Sequence, residues 1–319
     1  MKQPILGIHH VTAIASDPQR NLDFYIEVLG LRLVKRTVNF DDPGTYHFYF
    51  GDEIGTPGSI LTFFPWPDAL RGSRGVGQVD VTSFSIPEGS LSYWEKRLLS
   101  AGIPAERSGK RFGAEILSFA DPDGLRLEVV ADQRTPTEKR PWTGASVPAA
   151  HAVHGFHSVT LCEQGFEATA ELLKTMGFRN AAEHGNRFRF EVSEGGPGAC
   201  VDVLCASEAA YGRIAAGSVH HVAWRVADDE SQTKWRKLLA ERHVNVTPVI
   251  DRCYFHSIYF REPGGVLFEI ATDPPGFGID EPPEKLGESL KLPPWLERDR
   301  KTIEQILPPI ELHKPSRQG

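Results

Sequence analysis

The sequence predicts an α+β protein built from four copies of one βαβββ module. First, the stretches GIHHVTAIASD (7–17) and SVHHVAWRVAD (218–228) both place two histidines before a valine and an alternating apolar run. Second, the order of one strand, one helix and three strands recurs four times along the 319 residues. Third, the last strand of every module opens with glycine, as in GSILT and GVLFE. The chain is therefore expected to consist of repeated units.

Module one, at about 5–66, begins with ILGIHHVTAIA, whose alternation and β-branched residues predict a strand. SDPQRNLDFYIEVLG follows, with Ser and Asp before a helical pattern and Gly30 after it, which predicts a capped helix. LRLVKRTVNF, YHFYFGD and GSILTFFPW then predict three strands. This order defines the module.

The other three modules repeat that order at about 76–132, 153–206 and 217–273. Their helices are predicted in SLSYWEKRLLSAGI, GFEATAELLKTMGF and ESQTKWRKLLAERHV, and each is preceded by one alternating run and followed by apolar runs. Four modules of this size account for most of the chain.

The modules are expected to form two domains, an N-terminal one at 1–132 and a C-terminal one at 153–273. Between them lies a Pro- and Thr-rich segment, 133–152, which is predicted to be a linker. Residues 274–319 are rich in proline and charge, so we expect an extended C-terminal tail.

Composition excludes several classes of function. The net charge of −7 argues against a nucleic-acid partner, which requires a basic face. No apolar run reaches the roughly 18 residues of a membrane span, so no membrane partner is expected. The amino terminus lacks the apolar core of a signal peptide, and the four cysteines lack CxxC spacing. We therefore expect a cytoplasmic protein with free thiols.

Aligning the modules indicates which side chains share a position. When the valine after the first-strand position is aligned, His10 falls opposite Asp80, Ser158 and His221. When the glycine that opens the last strand is aligned, Thr62 falls opposite Glu128, Asp202 and Glu269. Since strand side chains alternate between faces, these eight residues are expected to face one interior.

Two imidazoles and one carboxylate can hold a divalent metal and leave positions open for substrate and dioxygen. Only modules one and four together supply that set, as His10, His221 and Glu269. A lone strand histidine is usually only a polar residue, but here three ligand types occupy equivalent positions. We therefore expect module one to pack with module four around one metal. The period of two places His9 and His220 on the face opposite the ligands, unless the start of the strand is distorted.

The segment YFREPGGVLFE (259–269) resembles the signature of type I extradiol ring-cleaving dioxygenases, which belong to the vicinal oxygen chelate (VOC) or glyoxalase/bleomycin resistance superfamily. That signature has Tyr, an acidic residue, Pro, Gly and the ligand Glu at the spacing found here. The resemblance implies two glyoxalase/extradiol-dioxygenase-like domains. It also implies that Glu269 is the iron carboxylate and that Tyr259 hydrogen-bonds a substrate oxygen.

Two departures point to one branch of that family. Arg252 stands where catechol enzymes carry a histidine, and module three offers Ser158 where they have a metal ligand. Both departures are similar to the hydroquinone-type ring-cleaving dioxygenases, which take the first ligand from the first strand. The resemblance covers nearly the whole chain and implies an Fe(II) enzyme that opens a hydroquinone ring with O2. Mn(II) stays open because the same ligands accept it.

The resemblance and the strand pattern also suggest roles outside the metal ligands. Arg252 and Tyr259 are expected to contact substrate and take part in catalysis, and His220 is expected to be catalytic. Thr12 lies two residues after His10, on the same strand face, and is expected to bind substrate. The partners are then a small aromatic diol and O2, and a homo-oligomer stays open.

Three alternatives use the same scaffold. A glyoxalase-like metal-dependent lyase or isomerase often carries a second glutamate ligand, and Thr62 stands at that position. An extradiol catechol dioxygenase conflicts with Arg252. A quinone- or drug-binding resistance protein commonly lacks the metal triad, which this chain retains.

Overall fold

The computed structural model describes residues 4–135, 141, 142, 144 and 146–312. Module one contains β1 (Ile8–Ala15), α1 (Pro18–Asp23) with a π-helical turn (Phe24–Val28), β2 (Arg32–Asn39), β3 (Asp42–Gly51) and β4 (Ile60–Pro65). Module two contains β5 (Gln78–Ile86), α2 (Leu91–Ser100), β6 (Ala105–Arg111), β7 (Ala114–Ala120) and β8 (Arg126–Ala131).

The second half of the chain repeats the order. Module three contains β9 (Phe156–Glu163), α3 (Glu167–Thr175), β10 (Arg179–His184), β11 (Arg187–Glu191) and β12 (Cys200–Cys205). Module four contains β13 (Ser218–Val226), α4 (Asp229–Glu241), β14 (Ile250–Asp251), β15 (Phe255–Arg261) and β16 (Leu267–Pro275). The predicted α+β fold of four βαβββ modules is confirmed.

The strands form two eight-stranded sheets, and each sheet combines one module from the first half of the chain with one from the second half. Modules four and one form the first sheet, in the order β14-β15-β16-β13-β1-β4-β3-β2. Modules three and two form the second, in the order β10-β11-β12-β9-β5-β8-β7-β6. Antiparallel pairs, β1 with β13 and β5 with β9, join the modules. The expected packing of module one with module four is therefore confirmed.

The predicted division into domains at 1–132 and 153–273 describes the order of modules along the chain and stays a prediction. Within the predicted linker, residues 136–140, 143 and 145 lie outside the described residues. The described part includes a short 3-10 turn, Ala149–His151.

One face of each sheet is apolar and packs beneath the helices. In module one the ring of Tyr25, just after α1, lies 5.3 Å from Phe50 and 4.6 Å from Phe63, measured between ring centroids. In module four Trp224 packs against Phe268 at 5.2 Å. Because strand side chains alternate, this packing leaves the polar positions on the other face.

The C-terminal tail lies along the first sheet as short helical turns, with 3-10 segments and α5 (Arg300–Ile306). The fully buried ammonium of Lys35, on β2, contacts Asp280 and Glu281 at 2.5 Å each. Further along, the Tyr46 hydroxyl donates to the Pro308 carbonyl at 3.1 Å. The predicted tail is thus bound to module one, and its last residues, 313–319, lie outside the described part. No described helix is both long and apolar enough to cross a membrane.

Candidate metal centre

Three of the predicted site residues converge at the middle of the first sheet. Neighbouring strands β1, β13 and β16 carry His10, His221 and Glu269. The two Nε2 atoms of the histidines lie 3.3 Å apart. Glu269 Oε2 lies 3.2 Å from His10 Nε2 and 2.9 Å from His221 Nε2. Residues some two hundred positions apart are brought together because the first strands of modules one and four are direct neighbours.

The carboxylate of Glu269 is fully buried, and one of its two oxygens accepts a hydrogen bond. The Ser257 hydroxyl donates to Glu269 Oε1 at 2.5 Å. Within the described residues, Glu269 Oε2 has no hydrogen-bond donor. Burial alone would raise the pKa of Glu269, but His10 and His221 hold that pKa well below its usual range. The carboxylate therefore stays ionised, with a free oxygen directed at two imidazole nitrogens.

The first histidine of each pair lies at a β-bulge. The register between β1 and β13 skips His9 and His220, so each is an extra residue in its strand. Their Nδ1 atoms lie 2.9 and 2.8 Å from the Nδ1 atoms of His10 and His221, respectively. The distortion that was the exception to the period of two is present: a bulge interrupts each strand, so neither histidine is directed away from the ligand beside it. Each supports the histidine that follows it.

These contacts fix the proton positions on His10. Burial, together with His10, lowers the pKa of His9 well below its usual range, so His9 is neutral. Its Nε2–H donates to the Thr272 carbonyl at 3.2 Å, which leaves Nδ1 as an acceptor. His10 then donates from Nδ1 and turns the lone pair of Nε2 toward Glu269. Ligand histidines are commonly fixed by such a bond.

The donor set fits a divalent metal. The described residues contain one His–His–Glu group whose ligand atoms lie within 4.8 Å of one another, formed by these three buried side chains. Donors bound at roughly 2.1 Å and at right angles lie roughly 3 Å apart, which is the separation seen here. Lone pairs held this close repel one another unless a cation lies between them.

Beside the three donors, the predicted residues Arg252 and Tyr259 contact each other. Arg252 Nε donates to the Tyr259 hydroxyl at 3.2 Å, and its NH1 contacts Asp41 at 3.1 Å. The Tyr259 ring lies 5.7 Å from the His221 ring. Burial, with the charge of Glu269, raises the pKa of Tyr259, so the phenol is neutral. The guanidinium is thereby fixed at the edge of the cleft.

On the opposite side of the donors, the predicted Thr12 belongs to a group that sequence reasoning missed. Thr12 Oγ1 lies 2.8 Å from Thr62 Oγ1, which lies 2.9 Å from His47 Nε2. The Tyr49 hydroxyl lies 3.0 Å from His47 Nδ1. The alternation in YHFYF, with polar residues at 47 and 49 and phenylalanine between and after them, is the signal that could have identified this face.

Comparisons with known proteins identify the superfamily. The model of the Glyoxalase/Bleomycin resistance protein/Dioxygenase superfamily matches residues 7–129 and 132–270. The chain belongs to this superfamily. It is 49% identical over 315 residues to "Putative ring-cleaving dioxygenase MhqO" of Bacillus subtilis (strain 168), covering 98% of this chain and 99% of the relative.

Two further members of the superfamily are similar over most of their length. A "Chlorohydroquinone/hydroquinone 1,2-dioxygenase" of Sphingobium indicum is 35% identical over 304 residues, covering 93% of this chain and 94% of the relative. The crystal structure of a "putative dioxygenase" from Bacillus subtilis superposes with a TM-score of 0.93 at 47% identity, covering 98% of this chain and 99% of that one.

The second sheet contains a cleft of the same superfamily scaffold, but ion pairs fill it. Asp202 is fully buried and contacts Arg189 at 2.7 Å and Arg187 at 3.4 Å. Glu128 pairs with Arg111 and accepts the Ser83 hydroxyl at 2.8 Å. These carboxylates occupy the positions predicted from the glycine alignment, but arginine side chains from neighbouring strands engage them, whereas the carboxylate of the first cleft faces imidazoles.

One predicted interior position in the second sheet is wrong. Asp80 was aligned with His10, but the register of β5 with β9 skips Asp80, which makes it the bulge residue and the equivalent of His9. Its carboxylate pairs with Arg126 at 2.9 Å. Val81 therefore takes the position of His10. Similarly, the bulge residue His157 contacts Ser158 Oγ through Nδ1 at 3.0 Å, where His220 contacts His221.

Proposed function

We propose that this protein is an Fe(II)-dependent ring-cleaving dioxygenase of the extradiol type that opens a hydroquinone with O2. His10, His221 and Glu269 would hold the metal, and Mn(II) is the other ion that this donor set accepts. The observation that carries the proposal is the convergence of two imidazole nitrogens on a buried carboxylate oxygen that no described donor satisfies. A one-face set of this kind leaves positions open for substrate and dioxygen.

The relatives support the choice of reaction and of substrate. Curated relatives are named as ring-cleaving dioxygenases, and one is named for chlorohydroquinone and hydroquinone. Arg252, in place of the histidine of catechol enzymes, favours a para-diol over a catechol. Thr62 stands where a glyoxalase-like enzyme often carries a second glutamate ligand, and threonine has no carboxylate. Its hydroxyl is engaged with Thr12 and His47.

The proposed reaction keeps both atoms of O2. The ring bond between a hydroxyl-bearing carbon and its unsubstituted neighbour breaks, and one oxygen is added to each of these carbons. An unsubstituted hydroquinone would give a carboxylic acid at one end of the opened chain and an aldehyde at the other. No external reductant is needed, because the ring supplies all four electrons.

A bound iron would lower the pKa of a phenol oxygen and provide an electron path from the ring to O2. The chain's own residues would orient the ring. The hydroxyls of a hydroquinone lie at opposite ends of the ring, so only one can reach the metal. We assign the other to the side of the cleft that carries Arg252 and Tyr259, where a permanent positive charge favours an oxygen anion.

His220 adjoins the ligand His221, with the two Nδ1 atoms 2.8 Å apart. Its ring is only partly buried and lies 6.1 Å from Phe64, and burial with the charge of His221 lowers its pKa to about 3. The ring is therefore neutral at neutral pH and can accept a hydrogen bond from a phenol. We therefore retain a catalytic role for His220, while Phe64 provides an apolar wall for the ring.

The test is a substrate panel on iron-loaded protein. Metal-free protein is loaded with Fe(II) without oxygen, then given hydroquinone, chlorohydroquinone or catechol together with O2 that carries the heavy oxygen isotope. We expect one O2 consumed per hydroquinone and both heavy atoms in a ring-opened product, measured by oxygen electrode and mass spectrometry. Catechol should react more slowly.

Iron-free protein and the His10→Ala variant are the controls for autoxidation of the diol. Oxygen uptake that yields only benzoquinone would contradict ring cleavage. Turnover of a carbonyl hemithioacetal with Ni(II) or Zn(II), without any O2 uptake, would instead establish a glyoxalase-like lyase or isomerase.

A further inference from the structure

A line of hydrogen bonds runs across three strands on the metal-bearing face of the first sheet. It begins at the Tyr49 hydroxyl, passes through both nitrogens of His47 and the Thr62 hydroxyl, and ends at Thr12, with successive distances of 3.0, 2.9 and 2.8 Å. Its two ends differ: Tyr49 is buried beneath the tail residue Phe277, whereas Thr12 adjoins the metal ligands.

The sheet register builds this line. Thr62 pairs with Thr12 on one side and with Tyr49 on the other, so their side chains share a face. Thr12 in turn pairs with the ligand His221 across the junction of β1 and β13. The line therefore leads from Tyr49 beneath the tail to the neighbourhood of the metal ligands.

The buried end determines the direction of every hydrogen bond in the line. Only 1% of Tyr49 is exposed, and burial raises its pKa well above the usual range, so its hydroxyl keeps its proton. In the described part of the chain His47 is the partner of that hydroxyl. A Tyr49 hydrogen that pointed elsewhere would be buried without an acceptor, whereas a hydrogen at the Thr12 end adjoins the metal ligands, where a bound oxygen could accept it. Tyr49 therefore donates to His47 Nδ1.

The direction then passes along the line. Burial, followed by the charges of His10 and His221, lowers the pKa of His47 well below its usual range, so the ring carries one proton. With Nδ1 accepting, that proton is on Nε2 and is donated to Thr62. Thr62 is fully buried, and Thr12 is the acceptor that remains for its hydrogen among the described residues, so Thr62 donates to Thr12. The hydrogen of Thr12 is left without an acceptor among the described residues.

We propose that Tyr49, His47 and Thr62 are positioning residues that turn the Thr12 hydroxyl hydrogen toward an oxygen bound at the metal centre. A site that presents a fixed donor prefers an oxygen that only accepts, so this line selects a phenolate over a neutral phenol. The inference rests on the proposed function, because it assigns the ligand oxygen to a phenol. It adds a specificity role for residues outside the metal ligands.

The experiment uses para-nitrophenol, whose absorption reports its ionisation and which offers one oxygen to the metal. Metal-loaded full-length protein is titrated with it without O2 over a pH series, which gives affinity and the apparent pKa of the bound phenol. In Tyr49→Phe the line loses its buried donor, so we expect phenolate affinity to fall about tenfold and the bound pKa to rise by about one unit.

Tyr46→Phe is the matched control. Tyr46 lies on the same strand but directs its hydroxyl to the tail carbonyl of Pro308, so removing it leaves the line intact. Thr12→Val should reproduce the Tyr49→Phe loss, Thr12→Ser should restore affinity, and the double variant should lose no more than either single variant. Thr62→Val, which cuts the line at its centre, provides a second variant if Tyr49→Phe folds poorly.

The outcomes separate the two proposals. If metal-loaded parent protein binds no nitrophenolate, the proposed function is overturned. If the parent binds it but Tyr49→Phe and Thr62→Val keep the parent affinity and bound pKa with full metal content, only the positioning line is overturned. Independent, additive losses in the Tyr49→Phe/Thr12→Val pair would also overturn it.

Discussion

The two sheets carry the same cleft with opposite contents. In the first sheet, a buried carboxylate, Glu269, faces two imidazoles and has one oxygen without a hydrogen-bond donor among the described residues. In the second, the equivalent carboxylates, Glu128 and Asp202, are engaged by arginine side chains. Both clefts thus retain a central acidic residue. The clefts differ in the groups that face it, which are imidazoles in the first cleft and arginines in the second. A guanidinium belongs to the protein permanently, whereas the first cleft leaves room for an ion.

Single positions account for this difference. Opposite the last-strand carboxylate, the first cleft has Tyr259 and the second has Arg189. At the first-strand position, the first cleft has imidazoles, while the second has Val81 and Ser158. A metal site therefore depends on a few residues on adjacent strands rather than on the fold, which is why fold alone does not define function.

The largest expected effect comes from removing a donor in the first cleft. His10→Ala should weaken iron binding by at least about 100-fold, because even the outer partners of metal ligands contribute roughly 10- to 100-fold. Ser158→Ala, at the position of the second sheet that matches the other ligand His221, should leave iron binding unchanged. Metal content after dialysis measures both. Equal iron content in His10→Ala and the parent would refute the pairing of modules one and four around a metal.

In the second cleft the corresponding change should affect stability instead of metal binding. Asp202→Ala leaves Arg189, which is 3% exposed, without its carboxylate. Breaking a buried pair from one side costs about 3–5 kcal/mol. Denaturant unfolding should show that loss, while iron content per folded molecule stays at the parent value.

Asp80→Ala is the control for the second cleft. It removes the partner of Arg126, whose side chain is 45% exposed, so the free energy of unfolding should change by less than about 1 kcal/mol. If Asp202→Ala is no more destabilising than Asp80→Ala, the ion pairs do not stabilise the second cleft.

The sequence was sufficient to predict which residues converge in the first cleft, because the ligand types recur at matched positions of a repeat. It was insufficient wherever one residue is added or a distant segment contributes. The bulge at Asp80 shifts the alignment by one position, and no local composition marks it. Lys35 looks like an ordinary strand lysine, yet the tail residue Glu281 covers it completely. His47 was missed because its function depends on neighbours in other strands.

The junction of the sheets predicts a smaller, pH-dependent effect. Glu163 ends β9 of the second sheet, and Glu262 follows β15 of the first and accepts the Thr169 hydroxyl at 2.6 Å. Burial, then the charge of Glu262, raises the pKa of Glu163 to about 8. The pKa of Glu163 is therefore higher in the folded state than in the unfolded state. The contribution of Glu163 to stability is complete below about pH 4.5 and is lost as pH rises through the folded pKa.

The free energy of unfolding, measured with denaturant between about pH 4.5 and the folded pKa of Glu163, about 8, should therefore decline by roughly 2–4 kcal/mol as pH rises. Glu163→Gln, which cannot ionise, should remove most of that decline. Glu171→Gln, on the exposed surface of α3, should retain it. A parent-like decline in Glu163→Gln would exclude this carboxyl group as the cause.

The smallest expected effect concerns the arginine of each cleft. Arg189 lies on the central carboxylate of the second cleft, whereas Arg252 is held aside by Tyr259 and Asp41 and leaves its cleft open. Lysine keeps the positive charge but lacks the planar guanidinium group. Arg252→Lys should therefore weaken the orientation of the substrate oxygen more than its electrostatic attraction. We expect KM for hydroquinone to rise about tenfold, with a smaller change in kcat, because the lost contact acts mainly in binding.

Arg189→Lys is the matched variant in the other cleft. There the fork makes two bonds to Asp202, so the free energy of unfolding should fall while KM stays at the parent value. Steady-state oxygen uptake at several hydroquinone concentrations distinguishes the two variants. A parental KM in Arg252→Lys would place the second hydroxyl of the substrate elsewhere, since an oxygen held by the guanidinium would be bound less tightly by an ammonium on a flexible stem.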